Sequence, residues 1–117
     1  MGLQIELKRH RKALVVRLKG ELDHHTAEGL RAKLDEEIKQ SGDISLVLSL
    51  KGLTFMDSSG IGVILGRYRQ IHAGGGKMVV CGVHPHLHRL FEMSGLYKII
   101  ALENDEKAAL ASLGVAL

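Results

Sequence analysis

Leu3, Ile5 and Leu7 alternate with Gln4, Glu6 and Lys8, a period of two that predicts a half-buried β-strand. Ala13 to Leu18 forms a second, more apolar strand, and the intervening run Lys8-Arg9-His10-Arg11-Lys12 reads as a solvated hairpin turn. Gly20-Glu21-Leu22-Asp23 then breaks the pattern. A helix is expected from about His24 to Gln40, because Ala27, Leu30, Leu34 and Ile38 recur on one face, and Ser41-Gly42-Asp43 ends it. Ile44 to Leu50 is apolar at nearly every position, which suits a central strand. Lys51 to Asp57 is the exit from that strand and displays two exposed apolar residues, Phe55 and Met56. A second helix begins near Ser58, turns Ile61, Ile64, Leu65, Tyr68 and Ile71 inward, and stops at Gly74-Gly75-Gly76. Met78 to Cys81 is a strand, Gly82 to Pro85 a turn, and Leu87, Leu90 and Phe91 mark a short helix. Ile99 to Leu102 is a last strand and Asn104 to about Leu113 a terminal amphipathic helix.

This order predicts an α/β fold: a single mixed sheet, with an N-terminal antiparallel hairpin and then mostly parallel strands, packed with about four helices. In such sheets the functional crevice lies beyond the carboxyl ends of the strands. Three loops are expected there: Gly20 to Asp23, Gly52 to Ser59, and Gly82 to His84.

Composition narrows the function. A chain of 117 residues with no linker or low-complexity segment reads as a single domain over residues 1–117. With no Trp, two Tyr and two Phe, the core must be aliphatic, and a surface for stacking single-stranded nucleic acid is disfavoured. The net charge of +3 comes largely from the basic run at residues 8–12. That run could serve as a phosphate or membrane patch, but the mixed charge elsewhere favours a plain turn. The lone Cys81 sits in the apolar run Met78-Val79-Val80-Cys81 and reads as a buried thiol in a reducing compartment. The start lacks a signal-peptide apolar region and no stretch approaches membrane-spanning length, so a cytoplasmic protein is expected, with no direct nucleic-acid or membrane partner.

The most informative stretch is Asp57-Ser58-Ser59-Gly60-Ile61-Gly62, where a strand end passes straight into a helix start that favours an anion. Helix capping needs one such residue; it does not account for two serines, two glycines and the Phe55-Met56 lip together. Enzyme patterns fail. Gly60-x-Gly62 lacks the third glycine of a dinucleotide fingerprint, since residue 65 is Leu, and no acidic residue follows near Cys81 and Gly82. Gly76-Lys77 is followed by Met78 instead of Ser or Thr and joins a helix to a strand, the reverse of a phosphate-binding loop. Ser58 is preceded two positions back by Met56, so the hydrolase elbow is absent, and a noncanonical Ser58–His hydrolase is a minor alternative. His84, His86 and His88 read as surface histidines, because no Cys or carboxylate completes a metal site and Pro85 starts the helix after His84. A domain that binds nucleotide at the same helix N-terminus is a rival from another class. No cofactor or metal is expected. The residues alone do not choose between Ser58 and Ser59 as a modified side chain.

Gly20-Glu21-Leu22-Asp23-His24-His25-Thr26-Ala27-Glu28, Phe55 to Tyr68, and Arg89-Leu90-Phe91-Glu92-Met93-Ser94-Gly95-Leu96 together resemble the sporulation anti-sigma factor antagonists of Bacillus-type bacteria, across essentially the whole chain. This family shares its domain type with sulfate transporters. The resemblance implies a non-enzymatic protein that, unphosphorylated, binds an anti-sigma factor with serine kinase activity and releases the sporulation sigma factor. It implies phosphorylation of Ser58, with loss of binding, and reversal by a serine phosphatase. It also implies nucleotide contact through the kinase and places Asp23 at the partner interface; Phe55 and Met56 are expected as apolar partner contacts, with Asp57, Ser59 and Gly60 shaping the same partner-binding loop.

Overall fold

The computed structural model describes residues 2–11, 13–42 and 44–115; Lys12 of the basic run and Asp43 at the expected helix end lie outside them. β1 (Leu3–His10) and β2 (Ala13–Leu22) form the expected antiparallel hairpin, with Leu3 opposite Gly20 and His10 opposite Ala13. Lys8, Arg9 and His10 therefore belong to the strand, and the turn is tighter than the basic run suggested, with Arg11 in the left-handed region at φ 53°. β3 (Ser45–Met56), β4 (Met78–Cys81) and β5 (Ala101–Glu103) complete a sheet of order β1-β2-β3-β4-β5. Every pairing after the hairpin is parallel, and β3 is central, as its apolar run requires.

Alternation in the strands divides the core between two faces. Leu14, Val16 and Leu18 of β2, with Leu46, Leu48 and Leu50 of β3, face the helices α1 (Ala27–Ser41), α2 (Ser58–Ala73) and α3 (Pro85–Ser94). Ala13, Val15, Val47, Val79 and Cys81 face the other way, onto Ala109 and Leu110 of α4 (Glu106–Ser112). α1 buries the four residues its spacing predicts. α2 is rotated slightly from expectation: Gly60, Val63, Ile64 and Ile71 are buried, while Ile61, Leu65 and Tyr68 sit half-buried at the core margin. Arg67 on the same helix reaches Asp35 of α1, its Nε 3.2 Å from Oδ1.

Five boundaries differ from the sequence reading. β2 runs through Gly20-Glu21-Leu22 instead of ending before it, and α1 begins at Ala27, not His24. β3 continues to Met56, where a loop from Lys51 was expected. The last strand is Ala101–Glu103, because Leu96–Lys98 forms a 3₁₀ turn whose exit leaves Ile99 exposed and drops Ile100 into the core. α4 starts after Asp105, whose carboxylate accepts the Ala108 N–H at 2.8 Å.

The extended β2–β3 pairing carries two register shifts. Arg17 pairs with Ser49, Lys19 with Gly52, and Glu21 with Phe55, so β3 gains one residue on β2 at each step. The buried positions of β3 consequently change spacing, from every second residue at Leu46, Leu48 and Leu50 to Leu53 and Met56. Each bulge flips the side-chain parity, which keeps an apolar residue on the core face. Gly52 sits at one shift, where an added Cβ would lie 3.0 Å from the Leu18 carbonyl oxygen.

On the second face, Arg17 ties three elements together. Its Nε and Nη2 donate to Glu106 of α4 at 2.6 and 2.8 Å, and Nη1 donates to Glu6 of β1 at 3.1 Å. The Arg17 bonds lower the Glu106 carboxyl below its ordinary value, against partial desolvation. Because the folded value is depressed, the stabilisation is complete above the unfolded carboxyl range and is lost as pH falls through the folded value. Glu106→Gln is expected to cost about 1 kcal/mol at neutral pH, the upper range for a partly exposed pair, with the two proteins converging in acid as pH falls through the depressed folded value. Urea unfolding at neutral and acid pH checks both. Burial pushes the Cys81 thiol up to about 11, so alkylation at mildly alkaline pH should be negligible in the native protein and complete in strong denaturant.

Candidate functional site

The carboxyl ends of β2 and β3 stay hydrogen-bonded to the last residue, and this places two loops side by side. The Asp57 N–H donates to the Leu22 carbonyl at 3.2 Å, so the start of α2 is fastened to the end of β2. Asp57 is extended, at φ −113° and ψ −172°, and its Oδ1 accepts the Ser59 N–H at 2.8 Å. This caps α2 and satisfies one of the free amides of its first turn. Ser58 is the first residue of the helix and is exposed; Ser59 is half-buried and Gly60 is buried.

Beyond Leu22 the chain turns over the same spot. Asp23 Oδ1 accepts the His25 and Thr26 N–H groups at 2.9 and 3.1 Å, and the Thr26 hydroxyl donates to the Glu21 carbonyl at 2.9 Å. These bonds occupy the residues that were expected to open α1, which explains why the helix starts later. Partial desolvation raises the Asp23 carboxyl, but the donors from Thr26 and His25 outweigh it and the net direction is downward. The carboxylate is therefore ionised at neutral pH, with Oδ2 left without a hydrogen-bond partner among the described residues. His24 follows, its Nδ1 4.0 Å from Asp57 Oδ2.

The third expected loop also arrives here. His84 Nε2 donates to the Lys51 carbonyl at 2.6 Å and His86 Nε2 to the Thr54 carbonyl at 3.1 Å. Read from sequence as plain surface histidines, these two fasten the start of α3 to the bulged end of β3. Both carbonyls lie on β3 beyond Ser49, its last residue paired with β4. Among the described residues no group of three or more His, Cys, Asp or Glu is placed to hold a metal ion.

Sequence reasoning erred over Met56. Expected beside Phe55 on the surface, it is 5% exposed, whereas Phe55 is 45% exposed. The second register shift sends Met56 to the core and Phe55 to solvent. Met56 packs beneath Gly60: a Cβ added there would stand 2.7 Å from Met56 Cγ and 2.9 Å from Leu22 Cδ2. Gly60 is thus needed for the approach of α2 to the strand ends.

The arrangement is an open surface, with Asp23, Phe55, Asp57 and Ser58 around an exposed helix start. Cavities of about 630 and 480 Å³ are lined by none of these four residues, although the second includes Lys51 and His84. The STAS domain model matches residues 4–109. The chain belongs to the STAS-domain family. This STAS domain is 55% identical over 115 residues to a protein of Paenibacillus polymyxa named anti-sigma F factor antagonist, covering 98% of each chain. It is similar in structure to the anti-sigma factor antagonist SpoIIAA in its unphosphorylated form, with a TM-score of 0.74, 31% identity, and 93% and 96% of the two chains covered. The phosphorylated form of the Bacillus cell fate determinant SpoIIAA gives a TM-score of 0.73 at 35% identity, over 93% and 99% of the chains. These relatives are named for antagonism of another protein, which is the role of a binding regulator. No helix among its described residues is long and apolar enough to cross a membrane.

Gly60→Ala is expected to cost about 1–3 kcal/mol, since the methyl group must displace two well-packed apolar side chains. Thermal unfolding checks this, and Gly62→Ala, where an added Cβ meets nothing within 4 Å, should lack the penalty.

Proposed function

We propose that this STAS domain is a phosphorylation-controlled anti-sigma factor antagonist. Unphosphorylated, it binds an anti-sigma factor that is also a serine kinase and so releases a sporulation sigma factor; phosphorylation of Ser58 ends that binding. The observation that carries the reading is the exposed Ser58 hydroxyl on the first turn of α2, immediately after a capping carboxylate and next to the exposed Phe55. The similarity to proteins named anti-sigma F factor antagonist supports the class of partner. A serine phosphatase would restore the binding form. Nucleotide contact comes through the kinase, and residues 1–117 act as one cytoplasmic domain.

Ser58 is favoured over Ser59 because the Ser58 side chain stands free of the loop, whereas Ser59 is half-buried with its amide held by Asp57. Asp23 and Phe55 supply partner contacts. Asp57, Ser59 and Gly60 shape the loop that presents Ser58, and Met56 supports it from below.

Phosphorylation adds about −1.5 to −2 charges. The start of a helix tolerates that charge, so the domain need not refold. In an interface beside Asp57 the same charge meets a like charge and must be desolvated, at a cost of about 2–5 kcal/mol. That corresponds to a loss of about 30-fold or more in affinity.

Ser58→Ala should abolish phosphate incorporation by the partner kinase while keeping most of the affinity, with a stability change within about 1 kcal/mol because Asp57 already caps the helix. Mass spectrometry after incubation with kinase and ATP locates the phosphate; full incorporation into Ser58→Ala would move the site elsewhere. Ser58→Asp should weaken binding in calorimetric titration with its melting midpoint nearly unchanged, since an acid suits a helix N-terminus. Affinity lost only in step with folded protein would contradict the electrostatic switch.

A further inference from the structure

The loop between β2 and α1 sets an imidazole beside the acidic cap of α2. His24 is 70% exposed, and its Nδ1 lies 4.0 Å from Asp57 Oδ2. That is an ion-pair separation but too long for a hydrogen bond, so the ring is not committed to the carboxylate. The backbone that carries it is held in place: Leu22 receives the Asp57 N–H, and Asp23 and Thr26 close the turn around His24 with bonds of 2.9–3.1 Å. Among the described residues no lysine or arginine forms an ion pair with Asp57.

We propose that His24 is the counter-ion of the phosphoryl group on Ser58, a positioning residue that holds the modified side chain over the start of α2; the proposal rests on Ser58 being the modified serine. A phosphoryl group there brings about −1.5 to −2 charges next to Asp57, whose carboxylate already uses the Ser59 amide. The remaining helix-start amides offset part of this charge. A cation between phosphoryl group and carboxylate offsets more, and His24 is the base that the fold supplies.

The surrounding charges are consistent with that role. On its own loop His24 has Asp23 before it and His25 after it, the two rings 3.9 Å apart between centroids. From α2 it faces Asp57. The loop is bounded by Glu21 at the end of β2 and Glu28 in the first turn of α1, the latter bonded to Arg31. The consequence is a modified domain whose new charge is partly offset within the chain and whose phosphoryl group keeps one orientation.

The test uses protein with phosphoserine installed at position 58 during translation, which makes the outcome independent of which serine a kinase selects. Phosphorus NMR follows loss of the second phosphate proton, ordinarily near pH 6, at low ionic strength, where an exposed charge pair is least screened. The midpoint in the parent should lie below that in His24→Gln by about half a pH unit, the effect of one charge some 6 Å away in water. His24→Arg should return the midpoint to the parent value or lower. Equal midpoints in the parent and His24→Gln would overturn the proposal, as would a shift produced by His25→Gln in place of His24→Gln. Phosphate mapping of the kinase product tests the choice of Ser58 separately. A different phosphorylated residue there would refute the site and leave this titration readable.

Discussion

Everything distinctive about the site depends on one backbone constraint: β2 and β3 stay paired through two register shifts until both strands end. That pairing delivers the Leu22 carbonyl to the Asp57 N–H, and with it fixes where α2 begins. Had the strands separated at Arg17 and Ser49, Asp57 would cap a helix free to pivot. The shifts also decide orientation, sending Met56 beneath the helix start and leaving Phe55 in solvent. Gly60 then admits α2 to van der Waals contact with Met56 and Leu22. A serine on the first turn of such a helix is exposed while its backbone is rigid. This combination suits a residue that must be modified without disturbing the fold.

The two faces of the sheet divide the work. Three helices and most of the aliphatic core lie on one side, and the loops of the site cluster at the carboxyl ends of β2, β3 and β4. α4 is held on the other face by a small patch, Ala109 and Leu110, and by the bidentate Arg17–Glu106 pair. That patch is modest, so the ion pair is a larger share of what docks the last helix than such pairs usually are.

Much of the fold was legible in hydrophobic spacing. The period of two in Leu3, Ile5 and Leu7, the helical face of Ala27, Leu30, Leu34 and Ile38, and the unbroken run Ile44 to Leu50 each appear as expected. What could not be read were the features that break a period. Bulges change strand parity without any change of composition, so Leu53 and Met56 looked like loop residues, and Gly20 to Leu22 looked like the end of β2. Thr26 and Asp23 postponed α1 through side-chain bonds to the backbone, which spacing does not record. The helix start near Ser58 was legible because capping chemistry is local. His84 and His86 were not, because their carbonyl partners on β3 are distant in sequence.

The central claim is that one charge at Ser58 governs association while the domain itself stays as it is. The direct measurement compares unmodified protein with protein carrying phosphoserine at position 58, titrating each against the anti-sigma kinase and recording backbone amide NMR spectra of both. The account predicts a loss of affinity of about 30-fold or more, with amide shifts confined to the start of α2 and the adjoining Asp23–Thr26 turn. Equal affinities would contradict it, and so would weakened binding accompanied by shift changes spread through the sheet.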